Sequence, residues 1–131
     1  MAKIIHSMIR VIDLEKSKTF YQQAFNLTTA HELDFENFTL AYLRNAKNDM
    51  EIELTLNKGE TASYTHGSGY GHIAVCVEDL DGEHQRMKEL DIEVADIVEF
   101  SPDGDLIARF FFVVDPDGYK IEVLQQHGHY R

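Results

Sequence analysis

Residues 50–57 alternate without a break: Met50, Ile52, Leu54 and Leu56 are apolar, while Glu51, Glu53, Thr55 and Asn57 are polar. Side chains two apart on a strand share a face, so this stretch predicts a strand with one face in a core and the other lining polar space. Residues 119–125, "YKIEVLQ", repeat the pattern, with Ile121 and Val123 opposite Lys120, Glu122 and Leu124. Further strands are predicted at 27–35, 38–44, 92–100 and 106–114, separated by turn chemistry such as "SPDG" at 101–104 and "DPDG" at 115–118. Helical spacing predicts "LEKSKTFYQQAF" at 14–25, with Leu14, Phe20, Tyr21, Ala24 and Phe25 as its apolar stripe, and "LDGEHQRMKEL" at 80–90, with Leu80, Met87 and Leu90. Asp13 and Asp79 precede these two stretches, where a short carboxylate accepts from the first-turn N–H groups.

The two halves are one pattern written twice. A shift of 66 residues carries His6 onto His72, Val11 onto Val77, Asp13 onto Asp79 and Leu14 onto Leu80. Each half then reads βαβββ, an α+β arrangement in which the last strand carries a glutamate between apolar neighbours, Glu53 in one and Glu122 in the other. Module one spans 1–58 and module two 71–127, with the polar, Gly/Ser/Thr-rich stretch 59–70 as linker, all within a single domain over 1–131.

Strand parity turns the repeat into a site. His6, Met8 and Arg10 share one face of the first strand, and His72, Ala74 and Cys76 share one face of its copy. Where the first and last strands of a module lie side by side, each module presents one His and one Glu to a concave polar face. His6, Glu53, His72 and Glu122 together make a mixed imidazole and carboxylate set suited to a Ni, Co, Zn, Mn or Fe ion rather than Ca or Mg.

Composition narrows the partners. Twelve Lys and Arg face 23 Asp and Glu, a formal charge of −11, which argues against nucleic acid. No apolar run approaches the roughly 18 to 20 residues that span a bilayer, so no membrane partner is expected and a cytoplasmic location is. A lone cysteine, Cys76, builds no intrachain disulfide or thiolate cage, and is expected to be a small core hydrophobe. His31, His66 and His84 have no partner at ligand spacing and are expected at the surface, as are His127 and His129 in a frayed tail.

In "HSMIRVIDLEKSKTFY", "IELTLN", "GYGHIAV" and "DPDGYKIEV", the chain resembles the bacterial glyoxalase I (lactoylglutathione lyase) family of the vicinal oxygen chelate superfamily over nearly its whole length. The resemblance implies paired βαβββ modules forming a curved mixed sheet around a metal cavity. It implies His6, Glu53, His72 and Glu122 as ligands, with Ni2+ or Co2+ favoured, Zn2+ as alternative, and no organic cofactor. It also implies a homodimer in which each metal is shared between module one of one chain and module two of the other. The implied reaction converts the hemithioacetal of methylglyoxal and glutathione into S-lactoylglutathione through an enediolate, a methylglyoxal detoxification. Glu122 is the expected general base and Glu53 the second catalytic carboxylate. Arg10 and Asn57 match family contacts to glutathione.

The chain also departs from the family. Lys58 follows Asn57 where Trp is common, and Asp103 and Asp105 stand where basic residues often hold the glycyl end of glutathione. Other metal-dependent members of the superfamily, an acyl-CoA epimerase or a glyoxalase using another thiol, therefore stay in view. Epimerases often carry Gln at the place of Glu53. A ligand-sequestering resistance protein typically lacks the ligands, and an extradiol dioxygenase uses three.

Overall fold

In the computed structural model, which describes residues 1–131, the chain divides into two compact units, Met1–Thr65 and His66–Arg131. The first contains strand β1 (His6–Val11), helix α1 (Leu14–Phe25), and strands β2 (Thr28–Asp34), β3 (Phe38–Arg44) and β4 (Glu51–Asn57). The second contains β5 (Ile73–Val77), α2 (Leu80–Glu89), β6 (Val98–Phe100), β7 (Ala108–Val114) and β8 (Lys120–Gln125). The sheet orders are β1-β4-β3-β2 and β5-β8-β7-β6, so the repeat read from the sequence is a repeat of topology. In each unit the first strand runs parallel to the last and the remaining pairs are antiparallel. A parallel pair needs a crossover, and α1 and α2 supply it.

Both helices begin as the sequence predicts. The Asp13 carboxylate accepts from Lys16 N–H at 3.1 Å, and Asp79 accepts from Gly82 N–H at 3.0 Å. Helix α1 ends at Asn26, whose φ of 54° is the left-handed turn that asparagine tolerates. Helix α2 stops one residue short of the expected span. Leu90 is its C-cap and lies 41% exposed, because Asp91 turns left-handed at φ 59° and carries the chain off the helix axis. The buried face of α1 is Leu14, Ser17, Tyr21 and Ala24, while Phe20 and Phe25 lie half-buried beside it.

Each sheet buries one face. In β3 and β4, Ala41, Leu43, Ile52 and Leu54 are at most 6% exposed; in β7 and β8, Phe111, Val113, Ile121 and Val123 are at most 1%. Two expectations are corrected here. The span 92–100 is not one strand: Val94 bridges Val113 and Ala95 N–H bonds the Phe112 carbonyl, then the register slips by one residue before Val98 meets Phe110. The first unit slips at the equivalent place, between Thr29 and His31, so the bulge belongs to the repeated fold. Cys76 is exposed rather than in the core, because β5 buries Ile73, Val75 and Val77 only partly and turns Ala74 and Cys76 outward. No helix is long and apolar enough to cross a membrane.

Candidate metal centre

The parallel pairing of first and last strands fixes where the four candidate ligands stand. In the first unit His6 is in register with Glu51 and Met8 with Glu53, so His6 and Glu53 are diagonal neighbours on one face. Their facing atoms, His6 Nε2 and Glu53 Oε2, are 3.8 Å apart, with side chains 36% and 10% exposed. In the second unit Glu122 is in register with Ala74, and His72 stands one residue before β5. There His72 Nε2 and Glu122 Oε2 are 2.9 Å apart, with side chains 43% and 15% exposed. Within neither unit do three His, Cys, Asp or Glu side chains gather to hold an ion. Each unit brings one His and one Glu together.

Local chemistry holds the second pair in place. The Asp115 carboxylate accepts from Asp117 and Tyr119 N–H, both at 2.9 Å, and Gly118 takes the φ of +88° that a residue with a Cβ resists. This turn starts β8 and leaves Tyr119 buried. The Tyr70 hydroxyl donates to the Lys120 carbonyl at 2.8 Å and clasps the segment before His72 to the start of β8. His66 is not a surface residue: its ring stacks on Tyr119 at 4.1 Å and 10°, and its Nε2 is buried without a partner. His84 likewise turns inward, its Nε2 at 2.8 Å from the Ala95 carbonyl and its ring edge-on to Phe111.

The polar face of β4 is more enclosed than alternation alone suggests. Glu53 and Thr55 are each 8% exposed, and the Thr55 hydroxyl oxygen has no hydrogen-bond partner. Arg10 lies exposed on the same face of β1 as His6, in register with Thr55. Asn57 ends β4 and donates through Nδ2 to the Tyr64 hydroxyl at 3.3 Å. Asp103 and Asp105 are exposed between β6 and β7.

One residue at this face had escaped the sequence reading. Tyr42, on β3, is in register with Glu53. Interaction with the Glu53 carboxylate, then burial, then the charge of Glu51 push its hydroxyl above the usual phenol range. The ring stands edge-on to His6, with centroids 5.7 Å apart, and stacks on His31 from the other side at 6.0 Å. The signal was available: in "FTLAYLR", Tyr42 falls on the face opposite the buried Ala41 and Leu43.

The chemistry of the donor set fits a divalent cation. Two largely shielded carboxylates each stand within 3.8 Å of an imidazole nitrogen, and Thr55 leaves a buried oxygen without a hydrogen-bond partner on the same strand as Glu53.

Comparison with known proteins gives the same direction. The chain is 38% identical over 126 residues to a probable lactoylglutathione lyase from Synechocystis sp., covering 93% of this chain and 94% of that one. It is 36% identical over 128 residues to a lactoylglutathione lyase from Haemophilus influenzae, covering 94% and 92%. A solved structure of the trypanothione-dependent glyoxalase I of Leishmania major superposes with a TM-score of 0.76 at 35% identity, covering 96% of this chain and 88% of that one. The model of the Glyoxalase/Bleomycin resistance protein/Dioxygenase superfamily matches residues 3–123, and the chain belongs to that superfamily.

Proposed function

We propose that the chain is a cytoplasmic, metal-dependent lactoylglutathione lyase that isomerises the hemithioacetal of methylglyoxal and glutathione to S-lactoylglutathione. The carrying observation is the His–Glu pair found twice, His6 with Glu53 and His72 with Glu122, at equivalent places of two repeated sheets. The similarity to enzymes of that name supports the reaction.

His6, Glu53, His72 and Glu122 would hold the ion, with Ni2+ or Co2+ preferred to Zn2+. Sharing it between module one of one chain and module two of a second gives a C2 homodimer with two equivalent sites. This reading accounts for a unit that supplies two ligands and no third. Bound there, a dication supplies electrostatic stabilisation to negative charge developing on two neighbouring substrate oxygens.

The chain's own residues do the rest. Arg10 offers a guanidinium to a carboxylate of the thiol, and the Asn57 amide offers a donor and an acceptor at the end of β4. Glu122 takes the carbon-bound proton, which returns to the adjacent carbon from Glu122 itself or by way of Glu53, the second carboxylate, while the hydroxyl proton of the first carbon passes to the oxygen of the second. The proton leaves one carbon and returns to the other, so the isomerisation is redox-neutral overall and needs no nicotinamide or flavin.

A second reading concerns the thiol. Asp103 and Asp105 are exposed acids, and the Leishmania major neighbour is trypanothione-dependent, so a thiol other than glutathione is the competing substrate. The experiment is to strip the protein of metal, reload it with Ni2+, Co2+ or Zn2+, and follow thioester absorbance with methylglyoxal plus glutathione or trypanothione. Thioester formation with at least one metal and thiol is expected. None with any combination would overturn the assignment.

A further inference from the structure

The stretch 59–70, read from its composition as a linker, holds neither helix nor strand, and its first part belongs to the first unit. That part is built to turn back. Gly59 takes a φ of +88°, and the Glu60 carboxylate accepts from Thr61 N–H at 3.1 Å and from Ala62 N–H at 3.0 Å. The chain thus doubles onto the end of β4, where the half-buried Tyr64 accepts through its hydroxyl from Asn57 Nδ2 at 3.3 Å.

Asn57 occupies a defined level of the sheet. Glu53, Thr55 and Asn57 share the polar face of β4, and Arg10 is in register with Thr55 as His6 is with Glu51. Arg10 and Asn57 are therefore related by the same diagonal step as His6 and Glu53, four residues further along both strands. Between the two levels the Thr55 hydroxyl is buried with no partner in the chain, an unsatisfied group of the kind that a bound molecule or ordered water completes. The backbone at Asn57 is held as well. Lys58 N–H donates to the Asn37 carbonyl at 2.9 Å, and Lys58 Nζ bonds Asp34 at 2.8 Å and the Phe35 carbonyl at 2.6 Å. What is left to Asn57 is the turn of its amide, and Tyr64 is the partner that sets it.

The oxygen and nitrogen of an amide lie on opposite edges of one plane, so turning Nδ2 to Tyr64 fixes where Oδ1 points. Oδ1 accepts from no group of the chain. An acceptor one diagonal step from an arginine suits a ligand end that carries a donor next to a carboxylate, and the α-amino acid end of glutathione carries both. We propose that Tyr64 is a positioning residue: it orients the Asn57 amide so that Oδ1 receives the ammonium of the thiol's amino acid end while Arg10 receives its carboxylate. The inference rests on the reading of Arg10 and Asn57 as thiol contacts, and adds the residue that gives one of them its polarity.

The test uses Tyr64→Phe, which keeps the ring and removes the oxygen. On Ni2+-loaded protein, binding of S-methylglutathione, which cannot turn over, is measured by calorimetry, and kcat and KM by thioester absorbance. Tyr64→Phe is expected to weaken S-methylglutathione binding about 5-fold, the scale of one neutral hydrogen bond, and to raise KM alike, with kcat and Ni2+ affinity retained. An analogue with hydrogen in place of the α-ammonium should bind the parent about 10-fold or more weaker than S-methylglutathione, a hydrogen bond to a charged group being the stronger kind. That gap should narrow in Tyr64→Phe, because the released amide no longer aims its oxygen. Asn57→Asp, which keeps an acceptor, should bind S-methylglutathione within about threefold of the parent, and Asn57→Leu should not. An equal gap in parent and Tyr64→Phe overturns the positioning, as does a loss of binding matched by a loss of Ni2+ affinity. Asn57→Asp as weak as Asn57→Leu overturns the acceptor assignment. A parent that binds no S-methylglutathione removes the reading of Arg10 and Asn57 and the inference with it. A parent that binds it but makes no thioester fails the reaction assignment alone, and the Tyr64→Phe binding comparison still decides the inference.

Discussion

Replacing Glu122 by Gln separates chemistry from architecture more cleanly than any other single change at the site. The side chain keeps its size, and its oxygen still accepts from His72, whose Nε2 lies 2.9 Å from Oε2. That pair has side chains 43% and 15% exposed, so solvent screens it and loss of the charge is worth about 1 kcal/mol of stability or less. The fold should therefore melt within a few degrees of the parent. Three of the four proposed ligands are untouched, and the protein should retain stoichiometric Ni2+ at micromolar concentration.

Activity should respond on another scale. A side-chain general base contributes on the order of 10² to 10⁴ in rate, and an amide is no base at neutral pH. A loss of about 10³ in kcat corresponds to about 4 kcal/mol on the barrier, several times the stability effect, so inactivity could not be put down to unfolding. The assay is thioester absorbance at saturating hemithioacetal, on protein whose metal content and melting curve have been measured in the same preparation. A metal-loaded Glu122→Gln protein with kcat within about threefold of the parent would refute Glu122 as the base.

Three other outcomes test the framework around the site. Tyr70→Phe removes the hydroxyl that donates to the Lys120 carbonyl at 2.8 Å; it should cost about 1 kcal/mol in a thermal melt and weaken Ni2+ binding, since the clasp sits two residues before His72. Asp79→Ala removes the acceptor for Gly82 N–H, and should lower the midpoint by about 3 °C, an N-cap being worth about 1 kcal/mol. Arg109 bonds Asp81 at 2.8 and 3.0 Å and Glu99 at 3.1 Å, and it holds the Asp81 carboxyl below its ordinary value of 3.8. A depressed folded-state pKa adds stability above the unfolded value and loses it as pH falls through the folded one. The stability difference between parent and Arg109→Ala should thus be full at neutral pH and shrink below about pH 4 in melts across pH; a constant difference would show that the ion pairs do not set it.

The sequence carried what is periodic and local. Alternation in 50–57 placed Glu53 on the face opposite Ile52 and Leu54, and the 66-residue shift tied His72 to His6 before any strand had been paired. Asp13 and Asp79 announced both helix starts because an N-cap acts within one turn. The misses are non-local. Nothing in "IEVADIVEF" marks the slip between Val94 and Val98, which is set by where β7 offers its carbonyls. In β5 every residue is apolar, so period two gives the face that Cys76 shares with His72 and Ala74 but is silent on whether that face is covered, and it is exposed.

Tyr42 lies between these cases and shows what kind of information functional detail requires. Its face follows from parity within β3, so its approach to the polar side is legible from seven letters. Its partner is not, because register with Glu53 depends on how the connection 45–50 closes between β3 and β4. Only with that register fixed does the comparison with Phe112 acquire meaning, since residues at equivalent sequence shifts need not be equivalent in the sheet. The His–Glu repeat was visible because the same two residue types stand at matching places in both halves of the sequence. The single oxygen that distinguishes Tyr42 from Phe112 is visible only when pairing shows that the two rings stand across from Glu53 and Glu122.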